Sequence, residues 1–157
     1  MVMAERNLTL FITILTFLAF QLFAPALFAA PTSVTKTQDL NFGRIVGGSG
    51  YSGSVTIDTS GARSFTGSIM LLGTAFSSAR FSITGNAGKT YILTLPAEIT
   101  ISSGTSQMAV TAITSSIPLT GVIPVSGALP FAVGGTLAVT SVQPNSTYNG
   151  NFTVSVK

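Results

Sequence analysis

From Tyr148 to Val156 the chain alternates without a break. Tyr148, Gly150, Phe152, Val154 and Val156 fall on one side, and Asn149, Asn151, Thr153 and Ser155 on the other. A period of two is the signature of an extended strand with one buried and one wet face. No stretch after residue 30 shows the i, i+3, i+4 apolar stripe that an amphipathic helix needs.

The same pattern recurs in shorter pieces between turn signals. Val55 and Ile57 alternate with Ser54, Thr56 and Asp58, and Thr59-Ser60-Gly61 turns the chain. Phe65 to Leu72 is a second run ending at Gly73. Phe81 and Ile83 reach Tyr91, Leu93 and Leu95 through Gly85-Asn86-Ala87-Gly88, a connection that predicts a hairpin. Pro96 limits that strand. Ile99 and Ile101 continue the pattern, Ser102-Ser103-Gly104 turns it, and Met108, Val110 and Ala112 form the next strand. Ser115 to Pro130 carries Pro118, Pro124 and Pro130, which predicts a loop or edge crossing. Phe131 to Val133 and Leu137 to Val139 flank Gly134-Gly135. Of the residues from Ala30 onward, 38 are Ser or Thr, and all 16 glycines lie there. Thr, Val and Ile pack well on a pleated surface and Gly punctuates it, so the fold class expected is all-β. Eight or so short strands at this spacing predict an antiparallel β-sandwich. A transmembrane barrel would need strands of about 9 to 11 residues and aromatic girdles. These runs are nearer five or six residues, and Trp is absent.

The N-terminus reads differently. Leu8 to Phe20 is an apolar run broken only by threonine, with Arg6 before it and small residues through Ala30 after it. That is the form of a secretory signal peptide. Cleavage is expected after Ala29, with Ala26 as competitor; a cut after Ala30 would place Pro31 next to the scissile bond. The expected division is a leader over residues 1–29 and a single sandwich domain over 30–157. An uncleaved anchor is the alternative, since Leu8 to Ala30 could reach the roughly 20 residues that cross a bilayer. Export predicts a periplasmic, cell-surface or extracellular location, with membrane contact only through the leader.

Chemistry is scarce. The chain has no Cys and no His, and only 7% of its residues are charged, against about 25% in ordinary soluble domains. Nucleophile pairs that use His, cysteine-ligated metals and disulfides are all excluded. Beyond the leader the carboxylates are Asp39, Asp58 and Glu98. Asp58 before Thr59-Ser60-Gly61 suits a turn-initiating residue better than an acid catalyst, and Glu98 follows Pro96 at a strand start. A hydrolase built on the two would need them within about 5 to 10 Å of each other. The expectation is a non-enzyme with no catalytic residue, cofactor or metal. The net charge of +3 comes from scattered cations, so no phosphate-binding stripe exists and no nucleic-acid partner is expected.

Three further features have structural readings. Gly47 to Gly53 lacks the Lys and helix start of a phosphate loop, so a strand connection is expected, with Tyr51 an isolated ring upon it. Asn145-Ser146-Thr147 and Asn151-Phe152-Thr153 match the N-glycosylation pattern, which is short and common in such chains. Tyr148 opens the last strand just after a turn, where its hydroxyl could bond backbone and close one end of a sandwich. Tyr91 is expected in the core.

A set of segments carries a resemblance. Leu40-Asn41-Phe42-Gly43-Arg44-Ile45-Val46, Leu71-Leu72-Gly73, Ala79-Arg80-Phe81-Ser82-Ile83-Thr84-Gly85, Tyr91-Ile92-Leu93-Thr94-Leu95-Pro96, Val133-Gly134-Gly135-Thr136-Leu137 and Tyr148-Asn149-Gly150-Asn151-Phe152-Thr153-Val154-Ser155-Val156 occur in that order. Together they resemble a bacterial secreted domain family of unknown function, similar in layout to fimbrial and spore-coat-like pilin subunits. The resemblance spans about residues 33 to 157. It implies an exported, immunoglobulin-like sandwich that assembles on the cell surface with copies of itself or with other surface subunits. It marks Leu40, Phe42, Gly43, Tyr91, Tyr148, Gly150 and Phe152 as structural positions and supplies no catalytic residue. A fimbrial subunit donates a free N-terminal strand of alternating apolar residues to its neighbour, whereas here Lys36 and Gln38 interrupt such a pattern after Val34. Either Val34 to Phe42 is the domain's own first strand, or donation uses another element. The expected function is a structural or adhesive surface component that assembles by strand pairing. The alternative is a monomeric exported binding module for carbohydrate or a small apolar ligand.

Overall fold

Twelve strands are found in the computed structural model, which describes residues 32–47 and 50–157. The expected leader, with Ala29 and Ala30, lies outside the described residues, as do Gly48 and Ser49 of the glycine-rich connection. In order they are β1 (Ser33–Gln38), β2 (Arg44–Val46), β3 (Gly53–Ile57), β4 (Arg63–Gly67), β5 (Met70–Leu72), β6 (Ala79–Thr84), β7 (Thr90–Thr94), β8 (Ile99–Ser103), β9 (Ser106–Ser115), β10 (Thr120–Val122), β11 (Ala128–Val139) and β12 (Ser155–Val156). Every pairing is antiparallel. The domain is all-β, as the two-residue period predicts.

β11 organises the rest, because its two halves belong to different layers. Ala128 to Val133 pairs with β6, whose other edge carries β1, while Gly135 to Val139 pairs with β3 and, through β3, with β4. Along its opposite edge β11 meets β9, which pairs with β8. The switch occurs at Gly134-Gly135, where a Cβ on Gly134 would sit 2.4 Å from the Ile57 carbonyl oxygen. Only a residue without a side chain lets the backbones approach so closely. The turn divides the interior in two. One core joins β3, β8, β9 and the end of β11 through Val55, Ile57, Ile99, Val110 and Leu137, and is covered by Phe42, Ile45 of β2 and Leu71 of β5. The other joins β6 and the start of β11 to β7 through Ala79, Phe81, Ile83, Tyr91, Leu93 and Val133. With no cysteine, these two cores hold the domain, each fully buried aliphatic side chain contributing about 1.5 to 3 kcal/mol.

Several local expectations are corrected. The runs before and after Gly85-Asn86-Ala87-Gly88 are not a hairpin: β6 pairs with β1 and β11, and β7 with β10 and β12. The glycine connection carries the chain across the sandwich, so Phe81 and Tyr91 face each other's layer in one core. Phe65 to Leu72 is two strands, because Gly67, at φ +84°, ends β4 before β5 crosses to pair with β2. Ala112 is exposed and not core-facing. It has φ +49° in a bulge opposite Gly135, and Ile113 turns inward in its place. Pro130 lies inside β11, and the stretch before it holds the short strand β10. Ala132 directs its N–H to the Ser116 hydroxyl, away from β6, so the nitrogen of Pro130, two residues earlier, also faces away from that ladder. The last strand is reduced to Ser155–Val156; exposure alternates from Asn151 to Val156 as expected and Tyr148 is half-buried, but Gly150, expected on the buried side, is exposed.

Candidate functional site

The C-terminal stretch keeps its pattern but not its ladder. Asn149 exchanges two backbone hydrogen bonds with Ser102, at 2.8 and 3.0 Å, and Lys157 exchanges two with Ile92, at 2.9 and 3.1 Å. Between the Ser102–Asn149 bridge and the Thr94–Ser155 pair, seven residues, 95–101, lie opposite five, 150–154. That mismatch, together with Pro96, which has no N–H, breaks the pairing. Among the described residues, 150–154 make no backbone hydrogen bond. In an extended chain alternate residues direct their N–H and C=O to opposite sides. Asn149 and Lys157 point theirs at β8 and β7, so Gly150, Phe152 and Val154 present theirs to the open side.

That open side is a cleft of about 1380 Å³. Residues 39–47 form one wall and 143–154 the other, and the floor is the first core, with Ile99, Ile101, Met108 and Leu137. The first wall is pinned. Asn41 and Ser77 exchange two backbone bonds at 2.9 Å, and the Asn41 side chain accepts the Gly43 N–H at 2.8 Å. Leu40 packs against both cores, and Phe42 is buried in the first. Gly43 has φ +77°, and a Cβ there would lie 2.5 Å from an Arg63 nitrogen. Arg63 donates from Nη1 to the Phe42 carbonyl at 3.2 Å and from Nη2 to the Gly73 carbonyl at 2.7 Å, with its guanidinium 4.3 Å from the centre of the Phe76 ring. A lone arginine in a strand carries no sequence signal for this role.

The second wall is held at both ends. The Tyr148 hydroxyl donates to the Pro144 carbonyl at 3.0 Å and accepts from Gln143 Nε2 at 3.0 Å, and Gln143 Nε2 also reaches the Gln107 carbonyl at 3.2 Å. A Cβ on Gly150 would lie 2.4 Å from the Thr100 carbonyl oxygen, so this glycine seats the segment against β8. Phe152 packs against both cores. Tyr91 lies apart from the cleft, buried, with its hydroxyl on the Pro118 carbonyl at 3.2 Å.

The carboxylates do not converge. Asp58 Oδ1 accepts from the Ser60 hydroxyl at 2.6 Å and from the Ala62 N–H at 2.9 Å, which closes the β3–β4 turn and lowers its pKa. Glu98 is exposed beside Ile99, in register through Val110 and Leu137 with Val55. Three interstrand steps, about 14 Å in all, separate the strands that carry them, and Asp58 lies three residues further along the chain than Val55, so their backbones are placed wider apart than the roughly 5 to 9.5 Å of glycosidase carboxyl pairs. Asp39 pairs with exposed Lys36 at 2.6 Å. Among the described residues no three acidic, His or Cys groups cluster as a metal site would require. Tyr51 is exposed and does not line the cleft, while Asn145 and Asn151 are exposed on its second wall. What the cleft offers a partner is an apolar floor and unpaired backbone.

Comparison with known proteins identifies the domain. The family described as Domain of unknown function (DUF4402) matches residues 32–157, and the chain belongs to that family. No curated protein and no solved structure matches it.

Proposed function

We propose that this DUF4402 domain is an exported, non-enzymatic structural or adhesive surface component, similar in behaviour to a fimbrial subunit, that assembles by β-strand pairing. An extended segment of a partner, most simply another copy, enters the cleft and pairs with the free N–H and C=O groups of Gly150, Phe152 and Val154. The unpaired stretch 150–154 beside an apolar floor is the observation that carries this reading. A free strand edge over a hydrophobic floor is a template for strand addition, where main-chain bonds supply affinity and alternate side chains supply selectivity. The cleft's 1380 Å³ exceeds the roughly 300 to 1,000 Å³ of small-molecule pockets. This favours a polypeptide segment over the small ligand of a binding module. β1 is already paired to β6, so a donor strand comes from a segment that this domain does not use in its own ladder, or from β1 after exchange. The leader-like sequence of residues 8–30 supports export.

The test uses the chain expressed with its own leader and recovered from the compartment to which it is delivered, read by light scattering and electron microscopy. Oligomer ladders or filaments are expected. Val154→Pro removes an N–H that faces the cleft and should stop assembly, whereas Thr153→Pro removes one that faces the other way and should not. Thermal melts establish that both variants fold. A wild type that stays monomeric overturns the proposal and returns the domain to the binding-module class.

A further inference from the structure

β4 ends the large sheet, and its own ladder uses only one of its two edges. The hairpin fixes which groups that leaves. The Asp58 N–H donates to the Ala62 carbonyl at 3.0 Å and the Ser68 N–H to the Ser52 carbonyl at 2.9 Å, so Ala62, Ser64, Thr66 and Ser68 turn their backbone toward β3. Arg63, Phe65 and Gly67 therefore turn their N–H and C=O groups outward, where no backbone group of the described residues meets them. Phe65 stands opposite buried Val55 yet is 51% exposed, because no strand lies beyond it. Other sheet margins are protected in the ways that keep strands from joining. β1 carries Lys36 and a break in register between Lys36 and Gln38, β2, β5 and β10 have three residues each, and β12 has two. β4 has five residues in unbroken register, with no lysine and no proline. Its one charge, Arg63, is turned to the Phe42 and Gly73 carbonyls of its own chain and does not guard the edge.

We infer that this edge pairs with the same edge of a second copy, antiparallel about a two-fold axis at Phe65, so that the two large sheets join into one. A two-fold contact needs a surface that is its own complement. The outward row is one, since it is centred on Phe65 with Arg63 and Gly67 two residues to either side. Phe65 then stands opposite the second copy's Phe65, and Arg63 opposite the second copy's Gly67. Opposed residues of this kind exchange both main-chain bonds, up to six in all. Arg63 meets a glycine there and not another cation, which is the complementarity that favours a second copy over an unrelated strand. The two exposed rings cover each other on the inner side, and Ser64 meets the second copy's Thr66 on the outer side; aromatic and hydroxyl pairs of this sort stabilise adjoining strands. Main-chain bonds, more than area, supply the affinity in such a contact, so the dimer forms as concentration rises. No residue of β4 lines the cleft, and the contact is independent of strand entry at residues 150–154.

The test uses the chain in the Val154→Pro background, where cleft pairing is blocked, and exploits the absence of cysteine. In the proposed register residue 64 faces residue 66 of the second copy as a non-hydrogen-bonded pair, with Cα atoms about 4.5 Å apart, within disulfide reach. Two residues 64, or two residues 66, lie on a diagonal of about 8 Å, beyond that reach. A mixture of Ser64→Cys and Thr66→Cys chains under mild oxidation is therefore expected to give the mixed disulfide, and either variant alone to stay largely monomeric. Like-with-like dimers in equal yield, or no dimer, overturn the inference. Light scattering gives the second reading. The mass should climb toward twice the monomer as concentration reaches the millimolar range, and adding Phe65→Lys, which sets like charges directly opposite each other, should hold it at the monomer. A dimer that survives Phe65→Lys overturns the inference, as does a chain that stays monomeric throughout. If that monomer nonetheless protects the Phe65 amide from hydrogen exchange, a segment of the same chain covers the edge instead. Thermal melts establish that each variant folds.

Discussion

Phe152 meets Phe81 edge-on, with ring centroids 6.0 Å apart and planes at 73°. Phe81 in turn stacks on Phe131 at 5.3 Å. Through this contact a segment with no backbone pairing is fixed to β6 and to the start of β11. The cleft wall is held by side chains while its main chain stays free. Phe152→Ala should cost about 2 to 3 kcal/mol, below the 3 to 5 of a fully buried Phe because this one is half-buried. Urea unfolding checks the magnitude, and hydrogen exchange should quicken first over residues 148–156.

The two cores depend on the bend in β11. Gly134→Ala would bring a Cβ against the Ile57 carbonyl and the Asp58 backbone, which cannot move aside as a flexible side chain could. The expected loss is about 2 to 3 kcal/mol. Ala112→Gly, in the facing bulge, should do the opposite and gain about 0.5 to 1 kcal/mol, since φ +49° is unfavourable for any residue with a Cβ. Chemical denaturation of both variants measures the pair of opposite signs.

Arg63 ties the first cleft wall to the 73–76 loop through a planar group with three engagements. Lysine keeps the charge but cannot span two carbonyls and stack on Phe76 at once. Arg63→Lys should therefore cost about 1 to 2 kcal/mol. It should also raise proteolytic sensitivity at residues 40–47, which limited proteolysis followed by mass spectrometry would show.

Asp58 is held below its ordinary pKa of 3.8, chiefly by the Ser60 hydroxyl and then by the Ala62 N–H. A carboxylate with a depressed native pKa stabilises the fold above its unfolded value, and that contribution fades as pH falls through the native one. Asp58→Asn should therefore be less stable than wild type at neutral pH, with the difference vanishing in strong acid. Denaturation midpoints across that range test the sign.

Much of this was legible in the residues. Val55 and Ile57, Phe81 and Ile83, and Ile99 and Ile101 announce their strands, and Asp58 announces its turn, because those signals are local. Alternation reports which side chains are buried. It does not report which strand lies alongside, so Phe81–Ile83 and Tyr91–Leu93 look like a hairpin when they belong to facing layers. The same limit applies to Tyr148–Val156, whose pattern is the clearest in the chain. Its pairing fails because the opposite strand carries two extra residues and a proline, a fact recorded elsewhere in the sequence.

By itself, then, the sequence determined an all-β domain with turns at its glycines, no disulfide and little side-chain chemistry, since composition and period act residue by residue. Tertiary structure alone decided that β11 would serve two layers, that Arg63 would clamp a wall, and that residues 150–154 would border a cleft with their backbone free. Those outcomes depend on how segments separated along the chain come alongside one another, and that is chosen by packing of the whole core.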